Sequence, residues 1–460
     1  MGPVPQGLQA SAVVSEPARY LPRAEREAYG KSLRTKVKRA DHAAWTESDA
    51  RRDVVARLRA SEPGRLKDLI AIRYGKMAMS PFAFLRGGSW VMAPDLAALP
   101  STGYLVQVCG DAHVRNLGAF SGLDGRVVFD VNDFDETCRA PWEWDLKRLA
   151  VSIVIVGREA RTSDRVCREA VCALVESWRN TMHVLADLPA VEVARYCVHR
   201  FDPGGTVGRV LRKAERMTAE HARDELARPG GDGRARFIED PPRLRPVSGA
   251  EAERVFAALA PYRDTLGPDR QQVLDCYEPY DVAYKVGGTG ALGARNYVVL
   301  CIGNGHHDPL ILQIKQALPS CYEALDLVKP DPRTASHQGM RVAAGQHRMQ
   351  TWTDPFLGWT TLDNEPCYVR QLSDHKASID PADLRRASLI EYARVCGETF
   401  AKAHARTGDA AVLYGYGGEG DKLDRAIASA AVLGADQSTA DWEAMLVAIR
   451  AGQLVAVQTD

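Results

Sequence analysis

The chain lacks the features that most quickly narrow a protein's function. Among its 460 residues no apolar run reaches about 18, so a membrane span is not expected. There is no excess of charge of either sign: 59 basic and 59 acidic residues balance. Without an overall field, nucleic acid and anionic membrane are not expected partners. The ten cysteines include no CxxC pair, the closest being Cys167 and Cys172, which points to reduced thiols and a cytoplasmic location and not to a disulfide frame. The first residues, MGPVPQGLQASAVVSEPARYLPRAERE, have neither a basic start nor an apolar core, so no signal peptide is expected. Gln6 stands where a myristoylation site wants Ser or Thr.

What is there is an ordinary globular composition, 45% apolar and 26% charged. A prior of roughly 150 residues per domain suggests about three units. Residues 1–45, rich in Pro, Ala and charge without a period, read as a loosely ordered arm. Helical patterning dominates 46–281, a small β-rich region is expected over 282–375, and helices return over 376–460.

The chemistry concentrates in Tyr104 to Asp135. An apolar strand-like run ends in GDAHVRN, Gly110 to Asn116, and a second run from Arg126 to Val131 follows a turn at Asp124-Gly125. Asp130, Asp133, Asp135 and Glu136 then crowd together, which is costly unless a cation meets them. Asp111 and Asn116, five apart on a loop after a strand, match the spacing of a phosphoryl-transfer catalytic loop, in which an Asp takes the acceptor's proton and an Asn binds magnesium. Asp133, after a short hairpin, stands where such enzymes place the carboxylate that bridges metal to phosphate, and by alternation Asp135 shares its side. Asp and Asn are also ordinary turn residues, and a solvated acidic turn is the plain alternative.

Farther on, KVGGTGALGARNYVVL places Gly288, Gly290 and Gly293 in a GxGxxG pattern between two strands. A dinucleotide fingerprint would open a helix, whereas a glycine turn between strands suits a flap over phosphates, or a hairpin with no ligand at all. Lys315 closes the next strand, where it would reach a nucleotide's phosphates. Its carboxylate partner is not evident: Glu323 is the nearest candidate, and the helix His337 to Trp352 contains no Glu. His113 reads as a structural hydrogen-bonder and His306-His307 as surface. Asp145, in PWEWDLKRLA, would stabilise its helix's N-terminus or brace the catalytic loop from behind.

Taken together, PFAFLRG, GDAHVRN, FDVNDFDE, PWEWDLKRLA, GARNYVVL, LQIKQA, YVRQL and ARVCGETFAKAHARTGD resemble a mostly bacterial family known as domain of unknown function 2252. More distantly, GDAHVRN and NDFDE resemble the catalytic loop and metal carboxylate of aminoglycoside phosphotransferases and protein-kinase-like enzymes. The order of parts departs from that group, because Asp133 precedes Gly288 by more than 150 residues. The resemblance therefore implies an α+β, two-lobed, circularly permuted kinase-like fold with a larger helical lobe. It also implies ATP and Mg2+ as cofactors and a small-molecule hydroxyl or amine as acceptor. In that scheme Asp111 is catalytic, Asn116, Asp133 and Asp135 hold metal, and Gly288, Gly290, Gly293 and Lys315 hold the nucleotide. Two alternatives stand: a non-catalytic, pseudokinase-like nucleotide-binding regulator, and a metal-dependent hydrolase using Asp111, His113, Asp130 and Asp133.

Overall fold

The computed structural model describes residues 20–46, 53–122, 125–198, 204–231, 234–305, 307–372 and 377–457. The expectations for residues 1–19, for Asp124 and for His306 lie outside them. The architecture mixes helix and strand, 53% and 16%, which makes it α+β. Among the described residues no helix is long and apolar enough to cross a membrane.

One large core is built on helices. Glu143–Glu159, Asp164–Asp187, Ala387–Thr407, Ala410–Gly417 and Lys422–Arg450 pack together, with Trp142 stacked on Trp178 at 4.7 Å between ring centres. Glu143–Glu159 is buried almost all round, so it has no polar face and reads as a central helix. Two helices far apart in sequence, Asp164–Asp187 and Ala387–Thr407, approach closely where Gly397 meets Leu174: a Cβ there would stand 2.1 Å from the Leu174 carbonyl oxygen.

The arm was expected to be loose, and its described part is not. Arg23–Ser32 is a helix laid on Ala410–Gly417, where Arg26 reaches Asp409 at 2.7 Å. His42 is wholly buried against Tyr416, its Nε2 2.6 Å from the phenol oxygen. Composition hid this because a short amphipathic helix docks through few side chains.

The second core belongs to a six-stranded antiparallel sheet. In spatial order its strands are Gly358–Leu362, Glu365–Gln371, Pro309–Gln316, Asn296–Ile302, Glu278–Lys285 and Leu244–Val247. Residues 282–375 were expected to hold the whole β region. The sheet instead begins at Leu244, and Val255 and Tyr262 from the intervening helices fill its core. The Pro- and Gly-rich stretch 229–246, which reads as loop, supplies two short strands, Ala235–Phe237 and Leu244–Val247.

Near the acidic stretch, two pairings organise the chain. Leu105–Val108 pairs with Cys138–Pro141, and Leu117–Ser121 pairs with Val127–Val131. The helix Lys67–Ala78 ends before Pro81, where the proline is expected to stop it, and Pro81 opens the next helix, Pro81–Gly87, with Ser80 as its cap, before Ser89–Ala98.

Gly397→Ala is expected to lower stability by about 1–3 kcal/mol, since a methyl group must force two helix backbones apart. Chemical denaturation, with the midpoint compared to the parent's, measures it.

Candidate active site

The loop Gly110–Asn116 is held by its surroundings more than by itself. Gly110 has φ +81°, and a Cβ on it would lie 2.3 Å from the Glu136 carbonyl oxygen, so both conformation and closeness to the acidic turn require glycine. Its carbonyl accepts from Tyr322 Oη at 2.7 Å. From behind, Asp145 accepts the Cys109 N–H at 2.9 Å and the Gly110 N–H at 3.1 Å, the bracing role that its place in PWEWDLKRLA suggests. Trp178 Nε1 donates to His404 Nδ1 at 3.2 Å, and His404 Nε2 lies 3.5 Å from Asp145. The end of the helix Ala387–Thr407 thus stands beside the strand that leads into the loop, and Thr407 Oγ1 accepts the Gln107 N–H at 3.1 Å.

Asp111 has two differently employed oxygens. Oδ1 accepts from Arg148 Nε at 2.9 Å and also from Nη2, while Arg148 donates to the Leu85 carbonyl at 2.8 Å. Oδ2 faces a cleft, 3.8 Å from His113 Nε2. Burial raises the Asp111 carboxyl to about 6; Arg148 opposes that rise, and the nearby Asp133 and Glu136 add to it. His113 is kept neutral by burial and by Arg86, Arg148 and Arg115, and its Nδ1 accepts the Arg115 N–H at 3.2 Å.

Asn116 donates its amide to the Asp111 carbonyl at 2.6 Å. Asp133 and Asp135, which alternation places on one side, part company because the strand ends at Val131 and a turn follows. Asp133 lines the cleft, and its Oδ1 accepts the Asp135 N–H at 3.3 Å. Asp135, expected as a metal ligand, pairs instead with Lys315, and its other oxygen accepts from Tyr368 Oη at 3.0 Å. Burial pushes this carboxyl up, but Lys315, Arg370 and Tyr368 outweigh it and hold it below the usual range. Burial likewise works against the Lys315 charge, and Asp135 overcomes it. Lys315 is therefore not paired with Glu323.

The glycine segment arrives at the same place. A Cβ on Gly290 would lie 3.2 Å from the Arg86 carbonyl oxygen and 4.0 Å from Asp111 Oδ2. Gly288 faces Arg86 Nη2, and Gly293, at φ +93°, turns against Arg65 away from Asp111. Asp111, Asp133, Asp135, Glu136 and Gly290 line one cleft, together with Arg65 and Arg73.

Sequence reasoning missed Arg148, Tyr368 and Arg341. Arg148 lies one turn beyond Asp145, where a buried arginine demands an anion. Tyr368 stands directly across the sheet from Lys315, and no local pattern announces it. Arg341, on the helix Gln338–Met349, fixes the acidic turn by donating to the carbonyls of Asp135 at 2.8 Å and Thr137 at 2.6 Å.

The family profile of DUF2252 matches residues 65–448. The chain belongs to that family. DUF2252 is described as an uncharacterized protein conserved in bacteria, so the name adds no activity to the geometry. No curated protein and no solved structure matches the chain. The DUF2252 segment takes in every residue of the cleft named above.

Asp145→Ala is expected to leave two buried N–H groups without acceptors, at about 1–3 kcal/mol each. Faster amide exchange at Cys109 and Gly110, with less change at remote helices, is the measurement.

Proposed function

We propose that this protein is an ATP- and magnesium-dependent phosphotransferase acting on a hydroxyl or amine of a small molecule, built as a circularly permuted, two-lobed kinase-like fold. The observation that carries this reading is the meeting of two distant segments. Gly290 from the glycine turn stands over Asp111, and Lys315 from the following strand pairs with Asp135, 180 residues away. A catalytic loop and a phosphate-holding flap are needed together, and neither alone supports the activity.

The order of parts in the sheet agrees with the reading. The glycine turn joins Glu278–Lys285 to Asn296–Ile302, and Lys315 ends the third strand. The helix Gln338–Met349 then precedes two more strands, of which Glu365–Gln371 lies beside that third strand and Gly358–Leu362 forms the edge beyond it.

In this scheme Asp111 Oδ2 takes the acceptor's proton while Arg148 fixes Oδ1, so the carboxylate cannot rotate away. Asp145 holds the loop backbone, and Lys315 holds Asp135 in the turn that presents Asp133. Asn116 and Asp133 share one chamber, and a carboxylate with an amide oxygen suits a hard divalent cation whose remaining ligands are phosphate oxygens. Magnesium bound there would neutralise phosphate charge. Among the described residues no group of three His, Cys, Asp or Glu side chains is placed to hold a metal by itself. The hydrolase alternative needs such a group. Its Asp130 is buried against Lys402, and His113 is engaged with the loop backbone.

Asp111→Asn is expected to reduce phosphoryl transfer by about 10²–10⁴-fold with ATP affinity nearly unchanged. Equal turnover in that variant, followed with radiolabelled γ-phosphate, refutes the assignment. Because Asp111 acts deprotonated and its carboxyl sits at about 6, kcat/KM should rise with pH through about 6 and then level. Lys315→Met leaves Asp135 buried without its cation. It should weaken ATP binding and lower the melting temperature together, both readable in one thermal-shift titration.

A further inference from the structure

A second chamber, also lined by Asp133, adjoins the cleft that holds Asp111. Arg86, Arg115 and Arg370 line it, with Asn116, Asn132 and Ser378 between them. Three elements distant in sequence supply the arginines: the helix Pro81–Gly87, the catalytic loop, and the strand Glu365–Gln371. Asp133 is the carboxylate that lines the chamber with them, Asp111 supports the charge of Arg86 and Asp135 and Asp354 that of Arg370 from nearby, and among the described residues none of the three arginines forms an ion pair.

Such a gathering of like charge is unfavourable unless an anion completes it. Arg86 shows the strain most directly. Its Nε is buried with no hydrogen-bond partner, and burial and the neighbouring Arg115 both oppose its charge. Arg370 is oriented for the chamber from behind: Nε donates to Gln313 at 2.9 Å and Nη1 to the Asn132 carbonyl at 3.3 Å. Arg115 is exposed, and its backbone is fixed by His113. A single carboxylate ligand would leave most of these donors unused, whereas a multiply charged oxyanion matches several planar forks at once. Gly288, facing Arg86 Nη2, brings the glycine turn to the chamber's rim.

We propose that Arg86, Arg115 and Arg370 form a binding site for a phosphate-bearing ligand, either the phosphate chain of the nucleotide or a phosphorylated acceptor. The site itself stands on the arginines; only its assignment to the nucleotide rests on the phosphotransferase reading.

The test is calorimetric titration of the full chain with inorganic tripolyphosphate. Binding is expected, and Arg115→Gln and Arg370→Gln should each weaken it about ten-fold or more, since each removes a charge-assisted contact. Arg115 is exposed, so its variant should melt like the parent. Arg333→Gln, which removes an exposed arginine paired with Asp331, should bind like the parent. No binding of tripolyphosphate, or equal binding by the Arg115 and Arg370 variants, overturns the site. Displacement of tripolyphosphate by ATP assigns the site to the nucleotide's phosphates. Simultaneous binding of the two assigns it to a phosphorylated acceptor. Intact tripolyphosphate binding without any phosphoryl product from ATP would refute the phosphotransferase reading and leave this site standing.

Discussion

The contact between Lys315 and Asp135 is the constraint on which the site depends. It joins a strand of the six-stranded sheet to the acidic turn at Asp133–Glu136. A buried pair of this kind is weak evidence for stability, because desolvation offsets most of the attraction. Its consequence is positional: removing either partner leaves an uncompensated charge, so the two segments are held in one register. Tyr368, Arg370 and Arg341 reinforce the same turn from the sheet and from the helix Gln338–Met349. Asp133 and Asp135 both line the cleft, and of the two Asp135 is the one held by Lys315.

Behind the loop a second arrangement does a similar job with neutral and charged groups together. Trp178, His404 and Asp145 form a chain ending on two backbone N–H groups of the loop, and Arg148, from Asp145's own helix, ends on Asp111. Helix Glu143–Glu159 thereby fixes both the loop backbone and the side chain that the loop exists to present. Buried polar groups so fully engaged specify one arrangement of the loop and of Asp111. The same burial that makes the arrangement rigid lifts the Asp111 carboxyl toward neutrality.

Charged side chains crowd both spaces that Asp133 lines. Asp111, Asp135 and Glu136 stand with Arg65 and Arg73 in one, and Arg86, Arg115 and Arg370 stand in the other. Such charges act more strongly in a partly dry cleft than they would in water. The chain as a whole is neutral, so this concentration of charge is a local property that composition does not disclose.

The sequence by itself determined the elements whose signal is local. The strands around the glycine turn, the helix Asp164–Asp187 and the hairpin Leu117–Val131 follow from periodicity and turn residues. Along Pro309–Gln316 successive residues alternate between faces, so Ile311 and Leu312 fall in different cores. GDAHVRN and NDFDE were legible because Gly, Asp and Asn are required at fixed spacing within one loop. Local patterning failed where partners are remote. It left the arm at Arg23–Ser32 loose, began the sheet some forty residues late, and did not show that Asp135 meets Lys315. Only the tertiary structure decided those matters, because an ion pair between residues 180 apart leaves no periodic trace in either segment. The folded chain alone shows that Gly290 stands over Asp111 and that three separated arginines share one chamber.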